Sequence, residues 1–159
     1  MHVTTKKQSY IIYFVFISVL AVSSSFSNKD DDNVSIQISN EMTKVKIKIT
    51  GKGEIFTATL LDNYSAKAFK EMLPLTIKMI ELNGNEKYCD LQNRLPTNPS
   101  NPKTIKNGDL MLYGSETLVL FYKTFTTSYS YTKLGEVDDT TGFESALGPG
   151  DTRVTFELE

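Results

Sequence analysis

From Val34 onward the chain alternates between apolar and polar positions. Val34, Ile36 and Ile38 are interleaved with Ser35, Gln37 and Ser39; after a break at Asn40-Glu41, Val45, Ile47 and Ile49 are interleaved with Lys44, Lys46 and Lys48. A period of two turns one side of a segment to a core and the other to water, so both stretches predict half-buried strands. Gly51-Lys-Gly53 reads as a turn, and Glu54 to Leu61 as a third strand with Phe56, Ala58 and Leu60 on one face. The period then lengthens once. Ala66, Phe69, Met72 and Leu73 recur at spacings of three and four behind the capping side chains of Asp62, Asn63 and Ser65, until Pro74 stops the pattern. That predicts one short helix.

Alternation resumes over Leu75 to Leu82, and Asn83-Gly84 is a strong hairpin signal before Glu86 to Asp90. Between Leu91 and Asn107 lie Pro96, Pro99 and Pro102 with several Asn, which predicts a long loop. Leu110 to Tyr113, Thr117 to Tyr122, Thr132 to Val137 and Arg153 to Leu158 read as further strands, separated by turns at Gly114-Ser115, Asp138 to Gly142 and Gly148-Pro-Gly150. A series of roughly eight short strands with a single helix predicts a mainly β fold closed into a barrel, which removes exposed sheet edges.

The first residues follow another logic. His2, Lys6 and Lys7 precede a run from Tyr10 to Val22 that is apolar everywhere but Ser18, and small residues follow. This is the layout of a secretory signal peptide. Such a run rises only about 20 Å as a helix, against a hydrocarbon core of roughly 30 Å, which argues against a stable membrane span. Cleavage after Ser23 or after Ser27 fits equally. The expected organisation is a leader at 1–27, an acidic linker at 28–33 and one domain at 34–159, in a secreted or periplasmic protein. The run Asp30-Asp-Asp32 lacks the alternating ligands and the Gly of a calcium loop, so it reads as a solvated linker.

Composition narrows the chemistry. The chain has 159 residues and a net charge of -2, which gives no electrostatic case for nucleic acid. Its lone Cys89 forms no intramolecular disulfide and no Cys-based metal cluster. His2 is the only histidine, and it departs with the leader, taking with it the usual general base near neutral pH and the commonest metal ligand. Neither metal nor cofactor is expected. The glycine-containing turns at Gly51 and Gly148 lack the following helix of a phosphate loop.

Asp62-Asn63 before a short helix, Leu73-Pro-Leu-Thr76, Glu86-Lys-Tyr88, Gly108-Asp-Leu110, Leu118-Val-Leu-Phe-Tyr122, Leu134-Gly135 and Arg153-Val-Thr-Phe156 occur in an order that resembles the small bacterial cyclophilin-like domain family. The resemblance runs from about Ile55 to the C-terminus. It implies a cyclophilin-type β-barrel without a convincing peptidyl-prolyl isomerase site. True cyclophilins use an Arg to weaken the amide resonance of the X-Pro bond, beside an apolar pocket for the proline ring. Here Arg94 and Arg153 are the only arginines, neither stands in the Phe-x-x-Arg context of those enzymes, and there is no Trp.

Arg94 is therefore the one candidate for isomerase catalysis, and a loop-anchoring role is its plainer reading. Tyr122, Phe125, Tyr129 and Tyr131 interleave with Thr and Ser, a combination in which rings supply apolar area and hydroxyls orient a ligand. Their plainer reading is barrel core for Phe121 and surface for the tyrosines. Glu86, Tyr88 and Asp90 share a face by alternation, which makes Glu86 and Asp90 a carboxylate pair of unspecified separation. Cys89, without a histidine to activate it, reads as a small buried hydrophobe. The sequons Asn33-Val-Ser35 and Asn63-Tyr-Ser65 matter only where Asn is glycosylated. The expectation is a non-catalytic module gripping a peptide or small molecule through Arg94, Tyr122, Phe125 and Tyr129. It places the groove between the 91–107 loop and the aromatic segment. The alternative is a peptidyl-prolyl isomerase working through Arg94.

Overall fold

A computed structural model describes residues 42–159. The leader, the acidic linker, the first expected strand at 34–39 and the sequon at Asn33 lie outside the described residues. Ten strands and two helices follow one another: β1 (Lys44–Ile49), β2 (Glu54–Leu60), α1 (Tyr64–Lys70), β3 (Leu75–Leu82), β4 (Glu86–Asp90), β5 (Thr104–Ile105), β6 (Asp109–Tyr113), β7 (Thr117–Phe121), β8 (Phe125–Thr126), β9 (Thr132–Val137), α2 (Phe143–Leu147) and β10 (Thr152–Leu158). Eight strands close into a barrel in the order β1-β10-β3-β4-β7-β6-β9-β2. All of its neighbours run antiparallel. Closure satisfies every strand through a neighbour and leaves no edge.

The alternation of β1 works as the sequence predicts: Val45, Ile47 and Ile49 are buried while the intervening lysines face outward. With Ala58 and Leu60 of β2, Met79 of β3 and Val154 and Phe156 of β10, they fill the barrel interior. Gly135 of β9 lets β2 come close. A Cβ there would lie 2.4 Å from the Thr59 carbonyl oxygen, a backbone atom that cannot step aside.

The register sets α1 and α2 at opposite ends of the barrel, α1 between the end of β2 and the start of β3, α2 between the end of β9 and the start of β10. Asn63 caps α1, its Oδ1 accepting from the Ala66 N–H at 2.8 Å while its Nδ2 donates to the Lys133 carbonyl at 3.0 Å. The amide of this sequon is thus committed to structure. Phe69 of α1 packs edge-to-face on Phe156, with ring centroids 5.5 Å apart. The second helix corrects the expectation of a single one. Gly142 precedes it and offers no capping side chain, so α2 carries no start signal; burial of Phe143, Ala146 and Leu147 holds it.

A second apolar cluster lies on the outside of the barrel wall. Ile105, Met111, Val119, Phe121 and Tyr131 are buried there, with Tyr88 and Phe125 packed against them. What covers them is the short β5–β8 pair together with the chain on either side. The 91–107 segment, expected as a loop, is irregular up to β5 but tied down along its length. Pro96 accepts from Ser65 Oγ at 2.6 Å, Leu95 N–H donates to the Ser115 carbonyl at 2.8 Å, and Ser100 pairs with Tyr131.

Candidate functional site

Glu86 and Lys87 are adjacent on β4, and the strand pleat sends them to opposite sides of the wall. Lys87 points inward at the α2 end and is fully buried, at 0% exposure. Its ammonium pairs with the Glu81 carboxylate and donates to the carbonyls of Gly148 at 2.8 Å and Gly150 at 2.6 Å. It also sits 5.2 Å from the centroid of the Tyr122 ring. The Tyr122 hydroxyl in turn donates to the Glu81 carboxylate, 2.7 and 2.8 Å from its two oxygens. Burial would raise the Glu81 carboxyl, but bonds from Lys87 and Tyr122 outweigh it and hold the group below its usual range. Burial, and then the bond to Glu81, push the Tyr122 phenol well above its usual value. This network closes the barrel mouth with every charge answered.

The outer side is different. A groove of about 520 Å³ crosses β4, β7 and β6, walled by the β3–β4 hairpin tip on one side and the segment from Phe125 to Tyr131 on the other. That volume falls among ligand clefts of roughly 300 to 1,000 Å³. The hairpin tip takes its shape from Asn83 and Gly84, both at positive φ (55° and 69°), the geometry the Asn-Gly pair favours. The rings form a connected series. Tyr113 meets Tyr129 at 6.1 Å and Tyr131 at 5.6 Å, Tyr131 meets Phe121 at 5.5 Å, and Phe121 meets Phe125 at 5.7 Å. Tyr131 is 8% exposed and Tyr129 is 61% exposed, so the surface grades from an anchored base to an open rim.

Among the described residues, Glu86 is the sole charged one lining the groove. Burial, and then the negative charge of Glu81 on the neighbouring strand, push its carboxyl above the usual range. Burial raises the Tyr131 phenol, and the charge of Glu86 adds to the rise. Among the described residues no hydrogen bond or ion pair reaches the Glu86 side chain. Asn85, beside it in the groove, has a buried Oδ1 with no partner there.

The four residues expected to bind separate in the structure. Phe125 and Tyr129 both line the groove. Tyr122 does not; it belongs to the inward network, because on β7 and its extension Leu118, Leu120 and Tyr122 point into the barrel and Val119 and Phe121 point out. Arg94 does not line it either; its side chain is 79% exposed and pairs with Glu116 at 3.4 Å beside the β6–β7 turn. Phe121, expected in the barrel core, is buried in the outer cluster instead. The groove wall opposite the aromatic segment is the hairpin rather than the 91–107 loop, which is held back by its bonds to Ser65, Ser115 and Tyr131. Tyr113, Tyr88 and Glu86 are among the groove residues that the sequence did not place there; the period-two pattern put Glu86 and Tyr88 on one face without saying which face mattered.

Nucleophilic chemistry has little material here. Cys89 Sγ lies 3.4 Å from the Asp90 carbonyl, and burial followed by the charge of Asp90 raises its thiol, disfavouring the thiolate. Asp90 accepts from Thr117 Oγ1 at 2.6 Å instead of facing Glu86 as an acid–base partner. Among the described residues no group of three or more His, Cys, Asp or Glu could hold a metal ion, and no helix is long and apolar enough to cross a membrane.

A closed eight-stranded antiparallel barrel, plugged by a helix at each end and carrying a strapped aromatic groove on its outer wall, defines the class. Residues 49–157 match the model of the cyclophilin-like family, which is more than half of the chain, and the protein belongs to that family. No curated protein matches it in sequence. Among solved structures, a hypothetical protein from Archaeoglobus fulgidus, determined in solution, is similar at a TM-score of 0.57 and 13% identity, covering 74% of this chain and 95% of that one. At that identity the likeness concerns the fold alone.

Proposed function

We propose that this is an exported, non-catalytic binding module whose ligand, a peptide or small molecule, lies in the outer aromatic groove. The observation that carries the reading is the asymmetry of the barrel wall: a groove of ligand size floored by a buried ring series, with no paired acid and base along it among the described residues. Apolar area and hydroxyls hold a ligand there, and nothing along the groove is arranged to transform it. The apolar run behind His2, Lys6 and Lys7 supports export.

Thermal melting of the purified protein against peptide and metabolite libraries tests the reading. Ligands that raise the melting temperature are expected to lose their effect in Tyr131→Ala, and silence across broad libraries would count against the groove. A coupled X-Pro isomerisation assay on the wild type and on Arg94→Ala is expected to give background rates for both; a wild-type rate that Arg94→Ala abolishes would restore the isomerase.

A further inference from the structure

Resting on the groove reading above, we infer that the ligand carries an organic cation, a substituted ammonium or guanidinium group, which docks between the Glu86 carboxylate and the faces of the groove tyrosines. Two observations converge on this. Among the described residues Glu86 is the one charged residue along the groove, and no cation among them lines it. Its carboxylate is partly removed from water and, among the described residues, has no partner, a state that costs free energy until a counter-charge arrives.

The rings supply the rest. Tyr88, Tyr113 and Tyr131 line the same cleft as Glu86, and the negative face of an aromatic ring attracts a cation, more strongly where water is excluded. The contrast with Lys87 shows the chain using this chemistry internally: there an ammonium sits against a carboxylate, backbone carbonyls and a tyrosine ring. On the outer face the same kinds of group surround open space. The cation can come from a free amine or from a Lys or Arg side chain of a polypeptide; the recognition chemistry is shared.

The test uses matched pairs on the purified full chain, followed by backbone amide NMR. One pair is choline and its neutral isostere 3,3-dimethylbutan-1-ol; the other is N-acetyl-lysine methylamide and N-acetyl-norleucine methylamide. The charged member of at least one pair is expected to bind about tenfold tighter than its neutral partner, with shifts gathered at Glu86, Tyr113 and Tyr131. A preference confined to the choline pair points to a free amine, and one confined to the lysine pair points to a polypeptide side chain. Glu86→Gln is expected to bring each pair within about twofold, with a melting temperature no lower than that of the wild type. Equal affinities within both wild-type pairs, with shifts still in the groove, would overturn the cation and leave the groove standing. A preference that survives Glu86→Gln would overturn the docking at Glu86, since the rings alone would then select the charge. Absence of groove shifts with all four probes would bring down both.

Discussion

Glu86 and Lys87 share a strand, a peptide bond and a layer of barrel wall, yet their surroundings are opposite. Lys87 is sealed inside with a carboxylate, two carbonyls and a tyrosine ring around its ammonium. Glu86 faces a groove, half-buried, without a partner among the described residues. A charge that the fold has fully answered belongs to stability, because removing it strands its partners in a low-dielectric interior. A charge left unanswered at moderate burial does nothing for stability and is retained at a cost, which is how a binding site differs from a buried ion pair. The two residues therefore separate what holds the barrel together from what it presents.

The most severe way to probe that contrast is Lys87→Met. It leaves the Glu81 carboxylate without its counter-charge and the carbonyls of Gly148 and Gly150 without this donor, and a loss of about 3 kcal/mol or more is expected in urea unfolding. A loss below about 1 kcal/mol would mean that water answers these groups as well as the ammonium does. Tyr122→Phe comes next. It deletes one hydroxyl that donates to Glu81 and keeps the ring over Lys87, so about 1 kcal/mol is expected. Because Tyr122 faces inward, ligand affinity in the groove should be unaffected by this change; a loss of affinity would place the two sites in contact.

Glu86→Gln is the smallest perturbation of folding. Stability is expected to stay within about 0.5 kcal/mol, since the variant removes a disfavoured charge and breaks no bond. The pH dependence gives the comparison its sign. The Glu81 carboxyl is held below its ordinary value of 4.5, so its pairing stabilises the fold above that pH and the contribution fades as pH falls through the lowered value. The Glu86 carboxyl is raised above 4.5, so the wild type is least penalised below that pH and loses stability as pH rises through the raised value. Unfolding of wild type, Glu81→Gln and Glu86→Gln across the acid range should therefore diverge in opposite directions. The gap to Glu81→Gln closes toward low pH, and the gap in favour of Glu86→Gln opens toward neutral pH. Gaps of the same sign would refute the division between the two sides of the wall.

Much of the barrel was legible in the chain because its strands are buried on one face only. Period-two alternation in β1 and β2, the Asn83-Gly84 turn and the Asn63 cap are local signals, and each corresponds to a formed element. Where both faces are covered, the signal vanishes. Leu110 to Leu112 and Leu118 to Phe121 are buried continuously, so the sequence offers no parity by which to tell inside from outside. That ambiguity is why Phe121 was expected in the interior and Tyr122 in a binding surface, the reverse of their positions. The helix α2 lacks a capping side chain, and β5 and β8 are two residues each, too short for any period to show.

The sequence by itself determined the strand pattern, the position of the first helix and the closed barrel, because backbone hydrogen bonding and one-sided burial leave a periodic trace along the chain; the resemblance to the family lay in the order of its motifs. Tertiary structure alone decided that Lys87 would be sealed with Glu81 and Tyr122, that Arg94 would pair with Glu116 outside the groove, and that Glu86 would stand among tyrosines brought from β4, β6 and the segment before β9. These are meetings between residues far apart in the chain, fixed by strand order and register. A local pattern carries no record of them.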